Sequence, residues 1–180
     1  MKFIAHILSA FFIFTLLSGK AQQYSFIPLS VEEGLAQTQV FDICSDEHGN
    51  IWFGTAGGAS RFDGINFKSY SSKNGLNDNL VSNIISKNGF IWIATQQGIS
   101  RIKDKQVVTF NLEEITEKNN ISAIAINDNS LWVGIKDKGI CQLKLKNNIP
   151  NIVDYTFHVP TENLNIRNLF CDSKNNIWLL

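Results

Sequence analysis

Histidine, proline and cysteine are scarce in this chain, with three of each among 180 residues. The histidines are His6 in an apolar N-terminal run, His48 in a turn and His158 in a loop, and none stands at ligand spacing from cysteines or carboxylates. Neither a metal centre nor a Ser-His-Asp arrangement is therefore expected, and histidines so placed read as solvated. Cys44, Cys141 and Cys171 are odd in number and far apart. That argues against a disulfide framework or a zinc knuckle and leaves three small hydrophobes buried on strands. Excess charge is missing as well, since 16 Lys plus Arg balance 16 Asp plus Glu. Nucleic acid would find no basic field to grip through its phosphates. At 44% hydrophobic, with 13 Phe and 4 Trp, the chain is too apolar for a disordered tail and has the material for a sizeable core.

Long apolar runs are absent with one exception. After Lys2, residues Ile4 to Leu17 are apolar except for His6, Ser9 and Thr15. This run is shorter than the roughly 20 residues that span a bilayer. It ends in Ser18-Gly19-Lys20-Ala21, whose small residues Gly19 and Ala21 fit cleavage after Ala21. Residues 1–21 read as an export signal, with an uncleaved anchor as the rival reading. No later stretch is apolar enough for a membrane helix, so any membrane attachment would come from a part beyond Leu180.

What the chain does have is a repeat. Trp52, Trp92, Trp132 and Trp178 are spaced by 40, 40 and 46 residues. Each lies in a similar short segment: Asn50-Ile51-Trp52-Phe53-Gly54-Thr55, Phe90-Ile91-Trp92-Ile93-Ala94-Thr95, Ser130-Leu131-Trp132-Val133-Gly134-Ile135 and Asn176-Ile177-Trp178-Leu179-Leu180. A preceding strand is marked by Val40 and Ile43, Val81 and Ile84, Ile121 and Ile124, Ile166 and Leu169, with polar turns rich in Asn, Asp and Gly between. A glycine then opens a third strand: Gly58-Ala59-Ser60-Arg61-Phe62, Gly98-Ile99-Ser100-Arg101-Ile102 and, shifted by one residue, Gly139-Ile140-Cys141-Gln142-Leu143. A fourth follows near Phe67 to Tyr70, Val107 to Phe110 and Val153 to Phe157. Helical periodicity is almost lacking, apart from one turn's worth at Leu112 to Lys118.

Four antiparallel strands in about 40 to 45 residues is the arithmetic of a propeller blade. The fold expected is all-β, a β-propeller of four-stranded antiparallel blades present as an incomplete fragment. Phe26 to Gly34-Leu35 repeats the spacing of Phe67 to Gly75-Leu76, so Tyr24 to Ser30 reads as an orphan outer strand that would close a last blade. The division expected is 22–34 for that strand, 35–75, 76–117 and 118–163 for three blades, and 164–180 for half of a fourth. Packing blades face to face would bury the tryptophans, which makes Trp52, Trp92, Trp132 and Trp178 structural rather than a ligand-stacking platform. Arg61 and Arg101 recur at equal offsets and are expected to brace neighbouring blades.

Several apparent motifs carry no chemistry. Gly54-Thr55-Ala56-Gly57-Gly58 lacks the Lys-Ser/Thr ending and the following helix of a phosphate loop. Asp63-Gly64 and Asp78 lack the alternating oxygen ligands of a calcium loop. Ser45-Asp46-Glu47-His48-Gly49-Asn50-Ile51-Trp52 resembles the sialidase Asp-box, but its Asp stands six residues before the Trp instead of five, and a shared hairpin does not imply glycosidase activity. No catalytic residue and no cofactor is expected in this segment. A small ligand would bind where the loops from second to third strand and from fourth to next first strand share one face. Those loops carry Asn77, Asp78, Asn79, Gln96, Gln97 and Lys136, with amide and charged groups suited to a polar ligand.

The whole pattern is more specific than the fold. Gly34-Leu35, Val40, Ile43, Asp46, then Gly49 to Gly64 and Phe67 resembles the opening of the two-component regulator propeller family, as does Gly75-Leu76, Val81, Ile84, then Gly89 to Arg101. The resemblance fades in the third repeat, where Ile135 replaces the Thr and Gln142 the Arg. It implies the periplasmic sensor part of a bacterial two-component or hybrid receptor, with a β-sandwich, a membrane helix and a histidine kinase further along the chain. It also implies an oligosaccharide or other small polar ligand and a homodimer through the full-length receptor. No phosphoacceptor motif, nucleotide box or DNA-binding helix lies in these residues. The alternative is a secreted propeller serving as a protein- or glycan-binding scaffold. A propeller enzyme such as a lyase would need a cluster of His, Arg, Tyr or carboxylates on one face, and the sequence offers none.

Overall fold

The computed structural model describes residues 26–112, 115, 121–157 and 166–180. The export signal expected at 1–21, His158 and most of the helical turn expected at Leu112 to Lys118 lie outside those residues. The fold is an all-β propeller fragment. Blade 1 comprises β1 (Val40–Ser45), β2 (Ile51–Thr55), β3 (Gly58–Phe62) and β4 (Phe67–Tyr70). Blade 2 comprises β5 (Val81–Lys87), β6 (Phe90–Thr95), β7 (Gly98–Lys103) and β8 (Gln106–Phe110). Blade 3 comprises β9 (Ile121–Ile126), β10 (Ser130–Ile135), β11 (Gly139–Lys146) and β12 (Ile149–Phe157), and β13 (Leu169–Cys171) pairs with β14 (Ile177–Leu179) in a two-stranded sheet. Every sheet is a meander in which sequence neighbours pair antiparallel. The β1–β2 and β3–β4 turns therefore share one end of a blade, and the β2–β3 turn and the link to the next blade share the other.

Turn chemistry sets the registers. Asn88-Gly89, Asp104-Lys105 and Asn147-Asn148 each join paired strands through two residues with positive φ, the type I′ geometry that matches strand twist. The last of these starts β12 at Ile149, four residues before the strand expected at Val153. Pro150 obscures that start in the sequence, yet an outer strand accommodates proline because one of its edges needs no N–H donor. At the opposite end, Thr55 Oγ1 donates to Gly58 O at 2.8 Å and Thr95 Oγ1 to Gly98 O at 2.9 Å. Only glycine fits at Gly58, where φ is 125° and a Cβ would stand 2.1 Å from Tyr70 O. The one-residue shift of the third repeat is a three-residue turn, Lys136 to Lys138, with Asp137 at φ 63°.

The cores lie between sheets. Trp52, Tyr70, Leu76, Val81, Ile84 and Ile93 form the seam between blades 1 and 2. Trp92, Phe110, Leu112, Ile124, Val133 and Leu143 form the seam between blades 2 and 3. A smaller cluster of Ala123, Ala125, Ile140, Ile166 and Leu169 joins blade 3 to the last hairpin, with Trp132 packed against it. Trp92 is 1% exposed, whereas Trp178, with no sheet over it among the described residues, is 57% exposed. Residues 26–30 pair with no strand among the described residues, and Phe26 and Ile27 stand 89% and 83% exposed.

The innermost strands are also linked by polar groups. The β1–β2 ladder slips between Val40 and Asp42, and the β5–β6 ladder between Val81 and Asn83. Such irregularities re-aim a side chain. Here Asp42 reaches blade 2, accepting from Asn83 Nδ2 and from Ile84 N.

Candidate functional site

The end of the blades that carries the β2–β3 turns and the inter-blade links holds the residues expected to meet a ligand. Asn77 is bound into the protein: its N–H donates to Ser100 Oγ at 3.3 Å, Ser100 Oγ donates to its Oδ1 at 2.9 Å, and its Nδ2 donates to Gln97 O at 3.4 Å. It fastens the blade 1–blade 2 link to the β6–β7 turn. Asp78 Oδ1 accepts the N–H of Asn79 at 2.7 Å, and Asn79 Oδ1 accepts that of Ser72 at 2.8 Å. The polar atoms of this trio thus hold the loop in shape.

Gln96 and Lys136 are placed differently. Both are exposed, and both line a cavity of about 310 Å³ at the start of the innermost strands. Phe41, Leu80, Val81, Ser82, Ile121 and Ser122 complete its wall. Ser82 Oγ donates to Ala94 O at 3.3 Å or to Ile121 O at 3.1 Å, and Ser122 Oγ donates to Gly134 O at 3.2 Å. Their hydroxyl protons face backbone carbonyls, so toward the cavity they offer lone pairs. The arrangement combines an amide, an ammonium group, two hydroxyl acceptors and one aromatic ring, which suits a neutral or weakly charged polar ligand. Phe41, Ser82 and Ser122 escaped the sequence reading, although each is the second residue of an innermost strand, and aligning those positions across repeats would have grouped them.

The two repeated arginines differ. Arg101 Nη1 donates to Asn148 O in blade 3, and its guanidinium lies 4.4 Å from the Phe90 ring centre and 5.6 Å from that of Trp92. Burial lowers its pKa. Arg61 makes no hydrogen bond or ion pair among the described residues, and its Nε is sealed from solvent without a partner. Gln142, at the same position in blade 3, donates from Nε2 to Ser130 Oγ at 2.8 Å.

The Asp-box-like turn spends its carboxylate on structure. Asp46 Oδ1 accepts from the N–H groups of His48 and Asn50, both at 2.9 Å, and Oδ2 from Asn50 Nδ2 at 2.8 Å and Trp52 Nε1 at 2.9 Å. Asp172 repeats the set with Lys174, Asn176 and Trp178. Partial burial raises the Asp46 pKa, but the donors from Trp52 and Asn50 outweigh it and hold the group below its ordinary value. At Asp172 the Trp178 and Asn176 donors bring it down to about 2. Among the described residues no three His, Cys, Asp or Glu side chains gather as a metal site. Burial pushes the Cys44 and Cys141 thiols up to about 12, which keeps them protonated and inert.

Residues 34–57 match the family model described as two component regulator propeller. The chain carries that family's repeat. Over 61 residues it is 43% identical to histidine kinase P4 of Formosa agariphila, a match covering 33% of this chain and 4% of that protein. The extracellular domain of a putative hybrid two component system from B. thetaiotaomicron superposes with a TM-score of 0.68 at 19% identity, over 88% of this chain and 22% of that one. Virginiamycin B lyase from Staphylococcus aureus also superposes, with a TM-score of 0.61 at 16% identity, over 79% of this chain and 48% of the lyase. At those identities the two structures share the propeller fold. The chain spans only a small part of the histidine kinase it matches.

Proposed function

We propose that this two component regulator propeller segment is the extracytoplasmic ligand-sensing part of a two-component receptor, exported by residues 1–21 and held at the periplasmic face of the inner membrane. The observation that carries the reading is the family match over residues 34–57, supported by the 43% identity to a histidine kinase. Its ligand is a small polar molecule, an oligosaccharide being one such, received by Gln96 and Lys136 beside Phe41 in the cavity at the start of the innermost strands. Ligand binding there biases how neighbouring blades sit and so the geometry of a receptor dimer. No step of catalysis belongs to this segment.

The test has two readouts. The reading frame beyond codon 180 is expected to encode further Trp repeats, a membrane helix and kinase motifs. A frame that ends after ring closure without a membrane helix overturns the receptor reading. In the full receptor, Gln96→Ala and Lys136→Ala are expected to abolish ligand-dependent autophosphorylation while leaving the basal level unchanged. Unaltered ligand response in both variants overturns the assignment of the cavity.

A further inference from the structure

A second opening lies at the other end of the blades, in the seam between blades 1 and 2, and it follows from the difference between Arg61 and Arg101. Both arginines occupy the fourth position of the third strand, facing the next blade. Across the seam between blades 2 and 3, Arg101 rests on Phe90 and reaches the turn carbonyl of Asn148. Across the seam between blades 1 and 2, the matching turn is Asp104-Lys105. Asn50 stands where blade 2 has Phe90, and its amide is tied down to Asp46. Among the described residues no ring props Arg61 and no carbonyl receives it. What is left is a cavity of about 530 Å³ with Arg61 in its wall.

Arg61 Nε is sealed from solvent and unpaired, and an incoming anion would meet the guanidinium at its Nη nitrogens, which are not sealed. The carboxylates nearby do not supply a partner. Both oxygens of Asp46 already carry two hydrogen bonds each, and Glu47 Oε1 accepts Gly89 N at 2.9 Å. Asp63 lies near enough for Arg61 to help lower its pKa, yet it forms no ion pair and turns Oδ1 to the N–H groups of Ile65 and Asn66. Two further cations, Lys103 and Lys105, line the opening, as does the carboxylate of Asp104 between them in sequence. Tyr70 lines it too and makes no hydrogen bond through its hydroxyl among the described residues, and the Trp52 ring, stacked on that of Tyr70 at 5.5 Å, lines it beside Tyr70.

We propose that this seam is a carboxylate-binding site, in which Arg61 and Tyr70 receive the anion and the indole edge of Trp52 beside them meets its hydrocarbon stem. The planar guanidinium fork fits a carboxylate in two parallel hydrogen bonds, a geometry that spherical anions do not reward. The volume suits one small acid or one acidic side chain. The carboxylate can come from a free organic acid or from a Glu or Asp side chain of a peptide. The site stands at the opposite end of the blades from Gln96 and Lys136 and does not depend on the sensor reading.

The experiment follows the Arg61 Nε–H resonance in the ¹⁵N-labelled full chain during titration with glutarate, with acetyl-glutamyl amide and with chloride at matched ionic strength. A saturable shift with glutarate or with the blocked glutamate, at least tenfold stronger than with chloride, is expected. Glutarate alone points to a free acid as the source, and tighter binding of the blocked glutamate points to a peptide. Arg61→Gln, which copies Gln142 of blade 3, is expected to lower affinity at least tenfold, read on the Trp52 indole resonance. Tyr70→Phe is expected to lower it several-fold, and Arg61→Lys, which keeps charge without the fork, to fall between wild type and Arg61→Gln. Thermal melting of each variant shows that it is folded, and should Arg61→Gln fail to fold, Arg61→Lys and Tyr70→Phe carry the test. Equal response to chloride, no response to either carboxylate, or unchanged affinity in the folded Arg61 variants overturns the proposal.

Discussion

Asn83 on β5 accepts the backbone N–H of Ile124 on β9 through Oδ1 at 2.9 Å, which fastens blade 2 to blade 3. Asp42 does the same one blade earlier, accepting Ile84 N at 2.9 Å. The succession ends at Ala123, which holds the equivalent position in blade 3, and there Leu169 N donates to Asn168 Oδ1 within its own hairpin. Asn83→Ala removes an acceptor from one buried N–H and a donor from Asp42. It should destabilise the chain by about 1–3 kcal/mol, measured by urea unfolding.

The tryptophans repeat in sequence but not in energetic weight. Trp92 is 1% exposed and packs in the seam between blades 2 and 3, so Trp92→Ala should remove about 3–5 kcal/mol. Trp178 is 57% exposed, and Trp178→Ala should remove only a small fraction of that. Equal losses in urea midpoints for the two variants would contradict the seam account.

Acid should loosen the Asp-box-like hairpins. The Asp172 pKa falls from an ordinary 3.8 to about 2 because the Trp178 and Asn176 donors favour the ionised form. A carboxylate depressed in the folded state contributes stability that is present above pH 3.8 and is lost as pH falls toward about 2. The urea midpoint should therefore drop across that window and less so in Asp172→Asn, while the two chains differ by a constant amount above about pH 5. A wild-type midpoint with no extra slope in that window would refute this.

Two glycines with positive φ separate backbone strain from collision. A Cβ at Gly98, φ 143°, would lie 2.7 Å from Phe110 O and 2.5 Å from Asn77 Nδ2, whereas a Cβ at Gly49, φ 81°, meets nothing within 4 Å. Gly49→Ala should show only the left-handed penalty of about 1–2 kcal/mol. Gly98→Ala should lose more and should release Asn77, seen as faster hydrogen exchange at the Asn77 amide.

The period, the four strands per repeat, the glycine that opens each third strand and the all-β propeller were readable because each rests on local spacing: Trp to Trp, Trp to the following Gly, Asn88-Gly89 between two apolar strands. The inter-blade links were not. Asp42 and Asn83 are aimed by ladder slips that no single-strand pattern reveals. The unlike fates of Arg61 and Arg101 depend on Asn50 against Phe90, a difference that acquires meaning only when the next blade's turn stands opposite. Asn77 shows the same limit, since its amide looks free in sequence and meets Ser100 only across 23 residues of chain.

Placing the cores in the seams makes each blade stable only through its neighbours. Such an assembly behaves as a row of coupled units, with opening that spreads inward from the ends. Blade 2 is covered on both sheet faces, and its Ile93 and Ile99 amides are among the last expected to exchange with solvent. The outermost strands of blade 1 and the β13–β14 hairpin breathe first. A signal that loosens one seam is thus felt by the adjacent blade as a change in population, with no need for any blade to change its own shape.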